Sequence, residues 1–314
     1  MSEFPSRTRL IVGLLVALAG CTAKADDPAV PLTVYAAGSL ARPLRAALDS
    51  ITATGGPRVR LEVMGSREIL RAVMSLGKTP DIIVSADADE LEKKLIPGFV
   101  TTSHTFARNR IVLALSPQST KAAGVTEANW AEVAGSGALK IARADPARAP
   151  LGYRTQIVWK LAEAEFQRPG LYGKLAAASP EALLRGNESD LAALLISGDA
   201  DAAWCYESLA RSLGIKYVAL GDHIDLGSDN DSSYYARGIV RIASDRPGDS
   251  TFVSGTPIRY AIAVVINGPD VISATVLRER LLDSNSARVM RRAGLDVLRA
   301  PRVTTLAMKL NLTQ

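Results

Sequence analysis

Leu32-Thr33-Val34-Tyr35-Ala36-Ala37-Gly38-Ser39 and Arg58-Val59-Arg60-Leu61-Glu62-Val63-Met64-Gly65-Ser66 repeat one local design. Each is a strand-like run that ends in Gly-Ser and passes into a segment of helical spacing. That segment holds Leu44 to Leu48 after the first run, and Ile69, Leu70, Val73 and Met74 after the second. A third run, Asp81–Ser85, carries Ile82, Ile83 and Val84 and leads into a helix near Asp89–Leu95. This β-α-β-α-β order predicts a mostly parallel sheet covered by helices on both faces.

Outward from that core, Arg110–Ser116 reads as a strand ending in Ser-Pro, followed by the small-residue stretch Ala122–Gly137. A second α/β region then follows. It has strands at Lys140–Ala144, Ala200–Cys205 and Lys216–Leu220, helices near Tyr153–Phe166 and Ser189–Ile196, and an alternating strand at Arg237–Ala243. Thr256–Ile266 is a long apolar strand. Two helices, Val271–Leu282 and Ser286–Ala293, close the chain without strands of their own and are expected to pack on the first sheet. The fold class expected is α/β, with two Rossmann-like lobes joined by two crossing strands, Arg110–Ser116 and Arg259–Ile266. The first lobe takes residues 32–109 and 259–314, and the second takes 110–258.

The N-terminus reads as an address. Arg7 and Arg9 precede the apolar run Leu10 to Leu18, which ends in Leu18-Ala19-Gly20-Cys21. A basic start, a short apolar stretch and small residues at its end describe a secretory signal. The run is shorter than the roughly 20 apolar residues a membrane-spanning helix needs. Cysteine after the small pair resembles the bacterial lipobox, which makes residues 1–20 a lipoprotein signal peptide and Cys21 the lipidation site. Residues 21–31 then form a tether, and the body is held outside the cytoplasmic membrane.

Composition narrows the function. The chain has 314 residues, 47% of them hydrophobic and 22% charged, with 37 Lys+Arg against 32 Asp+Glu, which is a folded and mildly basic protein. The positive charge is dispersed without a Lys/Arg run, so no nucleic-acid partner is expected. Two cysteines and two histidines cannot build a disulfide framework or a histidine-rich metal centre. With Cys21 lipidated, Cys205 has no partner thiol. Gly77-Lys78-Thr79 is not a phosphate loop, because Ala72 stands where the first glycine belongs.

The chemistry centres on strand ends. A helix N-terminus offers unpaired N–H groups and a positive dipole end, and a serine hydroxyl adds a donor. Gly38-Ser39 and Gly65-Ser66, on neighbouring parallel strands, meet at the carboxyl edge of the sheet, where ligands of α/β folds sit. Together they suit a small oxyanion, although ordinary N-capping explains each alone. Ala144-Asp145-Pro146 is a third end. A carboxylate there repels an oxyanion unless it bonds a positive centre within it, and an oxyanion built on a metal supplies one.

These residues also carry a family resemblance. Ala36-Ala37-Gly38-Ser39-Leu40, Gly65-Ser66-Arg67-Glu68, Asp81 to Asp87, Phe106 to Ala114, Ala144-Asp145-Pro146 with Gly152-Tyr153-Arg154, and Gly255 to Tyr260 resemble the tungstate/molybdate-binding proteins of ABC importers, in order along the chain. The resemblance implies a type II periplasmic-binding-protein fold and a solute-binding subunit, which Cys21 makes lipid-anchored and which is expected to be a monomer. Its interlobe cleft captures tungstate or molybdate and delivers it to a membrane permease, without cofactor or catalysis. It assigns hydrogen bonds from Ser39 and Ser66 to the anion and one metal-directed carboxylate to Asp145. The second family carboxylate lies in aromatic-Glu-Tyr-Arg-Ser. Here that motif reads Trp204-Cys205-Tyr206-Glu207-Ser208, with Cys205 in the Glu position. Glu207 replaces that carboxylate if Ala200–Glu207 stays extended, since residues two apart share a face. Otherwise a Cys205 thiolate takes the place, or the centre has one carboxylate or none and sulfate or another oxyanion becomes a candidate. A secreted thiol enzyme, with Cys205 as nucleophile and His104 or His223 as base, is the rival from another class.

Overall fold

Strands β1 (Leu32–Ala37), β2 (Val59–Met64), β3 (Ile82–Ser85) and β4 (Thr102–Arg108) come first in the chain and share one sheet. Next, β5 (Ile111–Leu115), β6 (Ile141–Ala144), β7 (Leu184–Arg185), β8 (Ala202–Tyr206) and β9 (Tyr217–Ala219) form a second. Strands β10 (Ile239–Ala243) and β11 (Ser250–Ser254) pair only with each other. The chain then returns to the first sheet with β12 (Arg259–Val264) and β13 (Asp296–Thr305). The computed structural model describes residues 30–243 and 248–307, so the leader 1–20, Cys21 and residues 22–29 of the tether lie outside the described residues. From Pro31 onward the described residues form one compact unit.

The helices are α1 (Ala41–Ala53), α2 (Ser66–Met74), α3 (Ala88–Leu95), α4 (Trp130–Gly135), α5 (Pro150–Glu165), α6 (Leu171–Ala177), α7 (Glu188–Ser197), α8 (Glu207–Leu213), α9 (Ser232–Tyr235), α10 (Val271–Leu282) and α11 (Ser284–Arg292). Helix α1 shows why they form. Leu44, Ala47, Leu48 and Ile51 recur at helical spacing and are buried, while Arg42, Arg45 and Asp49 face solvent. Pro150 opens α5, where its missing N–H is harmless. Among the described residues no helix is long and apolar enough to cross a membrane.

Both sheets are mixed rather than mostly parallel. In the first, ordered β13-β4-β12-β3-β1-β2, only β3, β1 and β2 pair in parallel, and β12 lies antiparallel between β3 and β4. In the second, ordered β7-β6-β8-β5-β9, the parallel trio is β7, β6 and β8, with β5 antiparallel to β8 and β9. Strands β1 and β3 are buried along their whole length, which accounts for their continuous apolar runs. The second sheet is packed by Trp130, Trp159 and Trp204, whose rings meet edge to face at 5.7–5.8 Å.

The chain passes between the sheets at Asn109–Arg110 and again just before Arg259. There the two segments hold each other. Asn109 N–H donates to the Ile258 carbonyl at 3.3 Å, and Asn109 Nδ2 donates to Ser208 Oγ and Tyr260 Oη, both at 2.7 Å. The expectation of terminal helices without a strand needs correction: β13 follows α11 and extends the first sheet against β4. Pro301, Arg299 and Arg302 disguise it as a polar tail. Its register breaks between Val297 and Arg302, and an edge strand tolerates such a break and a proline.

Candidate functional site

Each sheet has three strands paired in parallel, and the chain turns into a helix or a capped loop just past their carboxyl ends. In the first sheet Gly38–Leu40 makes one tight turn before α1, Gly65 caps α2, and Asp87 caps α3 by accepting Glu90 N–H at 2.9 Å. Gly65 N–H donates in turn to Glu68 Oε2 at 2.9 Å. In the second sheet Asp145 follows β6, Asn187 caps α7 through Ser189 N and Asp190 N, and Tyr206 leads into α8.

These ends meet closely. A Cβ on Gly38 would stand 2.5 Å from Glu188 Oε2 and 2.9 Å from Glu188 N, so only glycine allows the approach. A Cβ on Gly65 would collide with the Arg148 carbonyl. Further along, Arg154 Nη1 donates to the Ala86 carbonyl at 2.6 Å and to Tyr206 Oη at 2.9 Å, and Arg154 Nη2 pairs with Asp87 Oδ2 at 3.1 Å. Tyr153 Oη also donates to Asp87. Burial alone opposes the Arg154 charge, but Tyr206 and Asp87 beside it hold its pKa well above the usual value.

Ser39 and Ser66 are buried at this junction. Ser66 Oγ accepts Ala86 N–H at 2.9 Å, and Ser39 Oγ accepts Tyr260 Oη–H at 3.1 Å. Each hydroxyl keeps its own proton as a donor. Glu188 lies here too, with 1% of its surface exposed. Burial lifts its carboxyl to about 7, against the N–H groups of Glu188 and Ser39 and the charge of Arg154, which favour the ionised form. Even so, Glu188 Oε2 has no hydrogen-bond partner.

The other expected site residues stand apart from this cluster in their bonding. Asp145 Oδ1 accepts Ala147 N–H at 2.8 Å and tightens a local turn. Cys205 faces the core on β8 opposite Val112, with no exposed surface. Burial, and then the Glu188 charge, push its thiol up to about 12, so it stays protonated at neutral pH. The extended reading of Ala200–Glu207 does not hold, because Glu207 opens α8. Its carboxylate accepts Tyr217 Oη–H at 2.8 Å and pairs with Arg110 at 3.5 Å. His104 lies on β4, and His223 is exposed against Tyr234.

A cavity of about 430 Å³ shares Asp87, Tyr153 and Arg154 with the cluster and extends past Arg67, Asp89 and Glu90 to the β10–β11 pair. Ser39, Glu188, Tyr206 and Tyr260 do not line it. The sequence reading missed the Asp87–Arg154–Tyr206 network and Glu188. The first lies inside motifs already singled out, as three residue types that read separately as a cap, a helix cation and a core ring. Glu188 follows a capping Asn, where an acid is ordinary.

A family profile for bacterial extracellular solute-binding proteins matches residues 32–296. An uncharacterized solute-binding protein of Petrotoga mobilis is 32% identical over 289 residues, covering 92% of this chain and 90% of its own. The molybdate/tungstate-binding protein WtpA of Thermococcus kodakarensis is 26% identical over 322 residues, covering 92% and 90%. The periplasmic molybdate-binding protein of Azotobacter vinelandii superposes with a TM-score of 0.59 at 18% identity, over 85% of this chain and all of that one, which shows the shared fold.

Proposed function

Because the chain belongs to the bacterial extracellular solute-binding protein family, we propose that it is the lipid-anchored, monomeric capture subunit of an ABC importer and that its ligand is tungstate or molybdate. Residues 32–109 with 259–314 form one lobe and 110–258 the other, and the anion is enclosed where the carboxyl ends of their strands meet. Cys21 carries the lipid outside the membrane, and closure of the lobes creates the surface a permease recognises. The function of the named relatives supports this ligand.

The observation that carries the reading is the donor cluster itself. Ser39, Ser66 and the Arg154–Tyr206 pair come from both sheets into one buried place beside Gly38 and Gly65. A buried dianion needs many directed hydrogen bonds, and these supply hydroxyls, N–H groups and one guanidinium. Asp145, standing after the strand next to α7, is the carboxylate the resemblance directs at the metal centre. A thiol enzyme is disfavoured: Cys205 is fully buried and neutral, and no histidine is bonded to it.

Isothermal titration of the purified protein with tungstate, molybdate and sulfate tests the proposal. Tight binding of the first two with weak or absent sulfate binding supports it. Silence toward tungstate and molybdate overturns the ligand assignment. Asp145→Ala is expected to weaken tungstate more than sulfate, and equal losses would remove Asp145 from the metal centre.

A further inference from the structure

Capping of α7 does not account for its first residue. Asn187 already caps the helix through Ser189 N and Asp190 N, and Asp190 adds an acid to the first turn. Glu188 is nevertheless buried with 1% exposure, directly against the Gly38–Ser39 turn of the other sheet, and its Oε2 is unpartnered. A buried carboxylate oxygen without a donor is unfavourable, and a fold keeps one where something else binds it. Arg154 does not relieve it fully, since that guanidinium bonds Asp87, the Ala86 carbonyl and Tyr206.

Its surroundings say what it binds. The charge of Glu188 is felt by Cys205, Tyr206 and Tyr260, so the carboxylate lies within electrostatic reach of residue 205. It also lies at the Ser39 N–H, among the donors suited to an oxyanion. A free carboxylate in that position repels sulfate, whose sulfur takes no further ligand. Tungstate and molybdate differ, because their hard metal centres accept additional carboxylate oxygens. The position thus discriminates between anions of the same shape and charge.

We propose that Glu188 is a specificity-determining ligand of this site, and that its Oε2 coordinates the metal centre of bound tungstate or molybdate in place of the carboxylate absent at Cys205. The inference rests on the ligand class proposed above. In the step, an Oε2 lone pair forms a bond to the metal, no oxygen leaves the anion, and any proton on the carboxyl passes to water. Asp145 supplies the other carboxylate. Gly38 belongs to the same device, because any side chain there would fill the space between the turn and Glu188.

The test compares the wild-type protein with Glu188→Gln, which keeps shape and removes the anionic ligand. Titration is expected to show tungstate and molybdate weakened about a hundredfold, with sulfate unchanged or tighter. Unchanged tungstate affinity, or an equal loss for all three anions, overturns the assignment. A second measurement needs no variant. The tungsten L3 edge of the tungstate-loaded wild type should report more oxygen neighbours than free tungstate has, and a spectrum of four-coordinate tungstate overturns the proposal. A wild type that binds neither anion overturns the ligand class as well. A wild type that binds both, with an indifferent Glu188→Gln, removes only the role of Glu188.

Discussion

Glu188 and Glu207 occupy matching places in the second sheet. Each is the first residue of a helix that begins just after a parallel strand. Glu207 keeps 22% of its side chain exposed and is held by Arg110 and Tyr217, so its charge is satisfied at the surface. Glu188 is sealed against Gly38 with one oxygen unpartnered. Sequence neighbourhood favours Glu207, which lies within the motif that resembles the family's second carboxylate. Environment favours Glu188, since a ligand-binding carboxylate must be desolvated and free to bond. In this chain, position along a motif and chemical availability point to different residues.

The largest effect should come from the cation shared by the buried acids. Arg154→Met leaves Asp87 and Glu188 without their nearest positive charge, and breaking a buried pair from one side costs about 3–5 kcal/mol. Urea unfolding at pH 7 would measure it. A loss below about 1 kcal/mol, the range of exposed pairs, would mean that the Asp87–Arg154 pair is solvated in the fold, and the contrast with Glu207 would collapse.

Next is the pH dependence of Glu188. Its carboxyl is lifted to about 7 in the folded chain, from an ordinary value of 4.5. The folded state therefore holds the proton more tightly than the unfolded state. Its stabilising contribution is full below about 4.5 and is lost as pH rises through about 7. At 1.36 kcal/mol per unit, the loss between pH 4 and pH 8 is on the order of 3 kcal/mol. Glu188→Gln should flatten that slope and be the more stable protein at pH 8, measured without ligand. Asp225, lifted by burial to about 6, adds its own slope, so the difference between wild type and variant is the informative quantity. A variant slope identical to wild type would place Glu188 in a wetter environment than its burial implies.

These two acids also mark where the sequence could be read and where it could not. The parallel strands were legible because β1 and β3 are buried on both faces and so are apolar without interruption. The turns at Gly38-Ser39 and Gly65-Ser66 were legible because a glycine and a hydroxyl after a strand mark the start of a helix. Strand β13 was not, because an edge strand tolerates Pro301 and arginines that a central strand would exclude. Strand β4 and helix α8 adjoin strands read in full, and local spacing did not separate them. Glu188 was illegible for a different reason. An acid in the first turn of a helix is favourable in any exposed setting, and only the approach of Gly38, remote in sequence, buries this one.

Gly38→Ala should have a smaller effect than either change above. Its Cβ would fall within 3.1 Å of Glu188 Oε2, Glu188 N and Asn187 Cβ, a set that includes backbone and cannot simply swing aside. Overpacking of this kind costs about 1–3 kcal/mol. Tungstate affinity should fall with it, since the turn and α7 are pushed apart. Thermal unfolding paired with titration separates the two effects, and a variant that loses stability without losing affinity would detach Gly38 from the site.

Glu207→Gln should do least. The change removes an ion pair whose Arg110 partner keeps Asp222 and Asp225, at 3.2 and 3.1 Å, so the guanidinium is not stranded. An amide oxygen can still accept the Tyr217 hydroxyl. Loss of one half-exposed pair amounts to about 0.5–1 kcal/mol, and the tungstate affinity should match wild type in titration. A tungstate-selective loss in Glu207→Gln, with Glu188→Gln indifferent, would reverse the assignment. It would require α8 to unwind at its first residue when the anion binds, because Glu207 can share a face with Cys205 only in an extended chain.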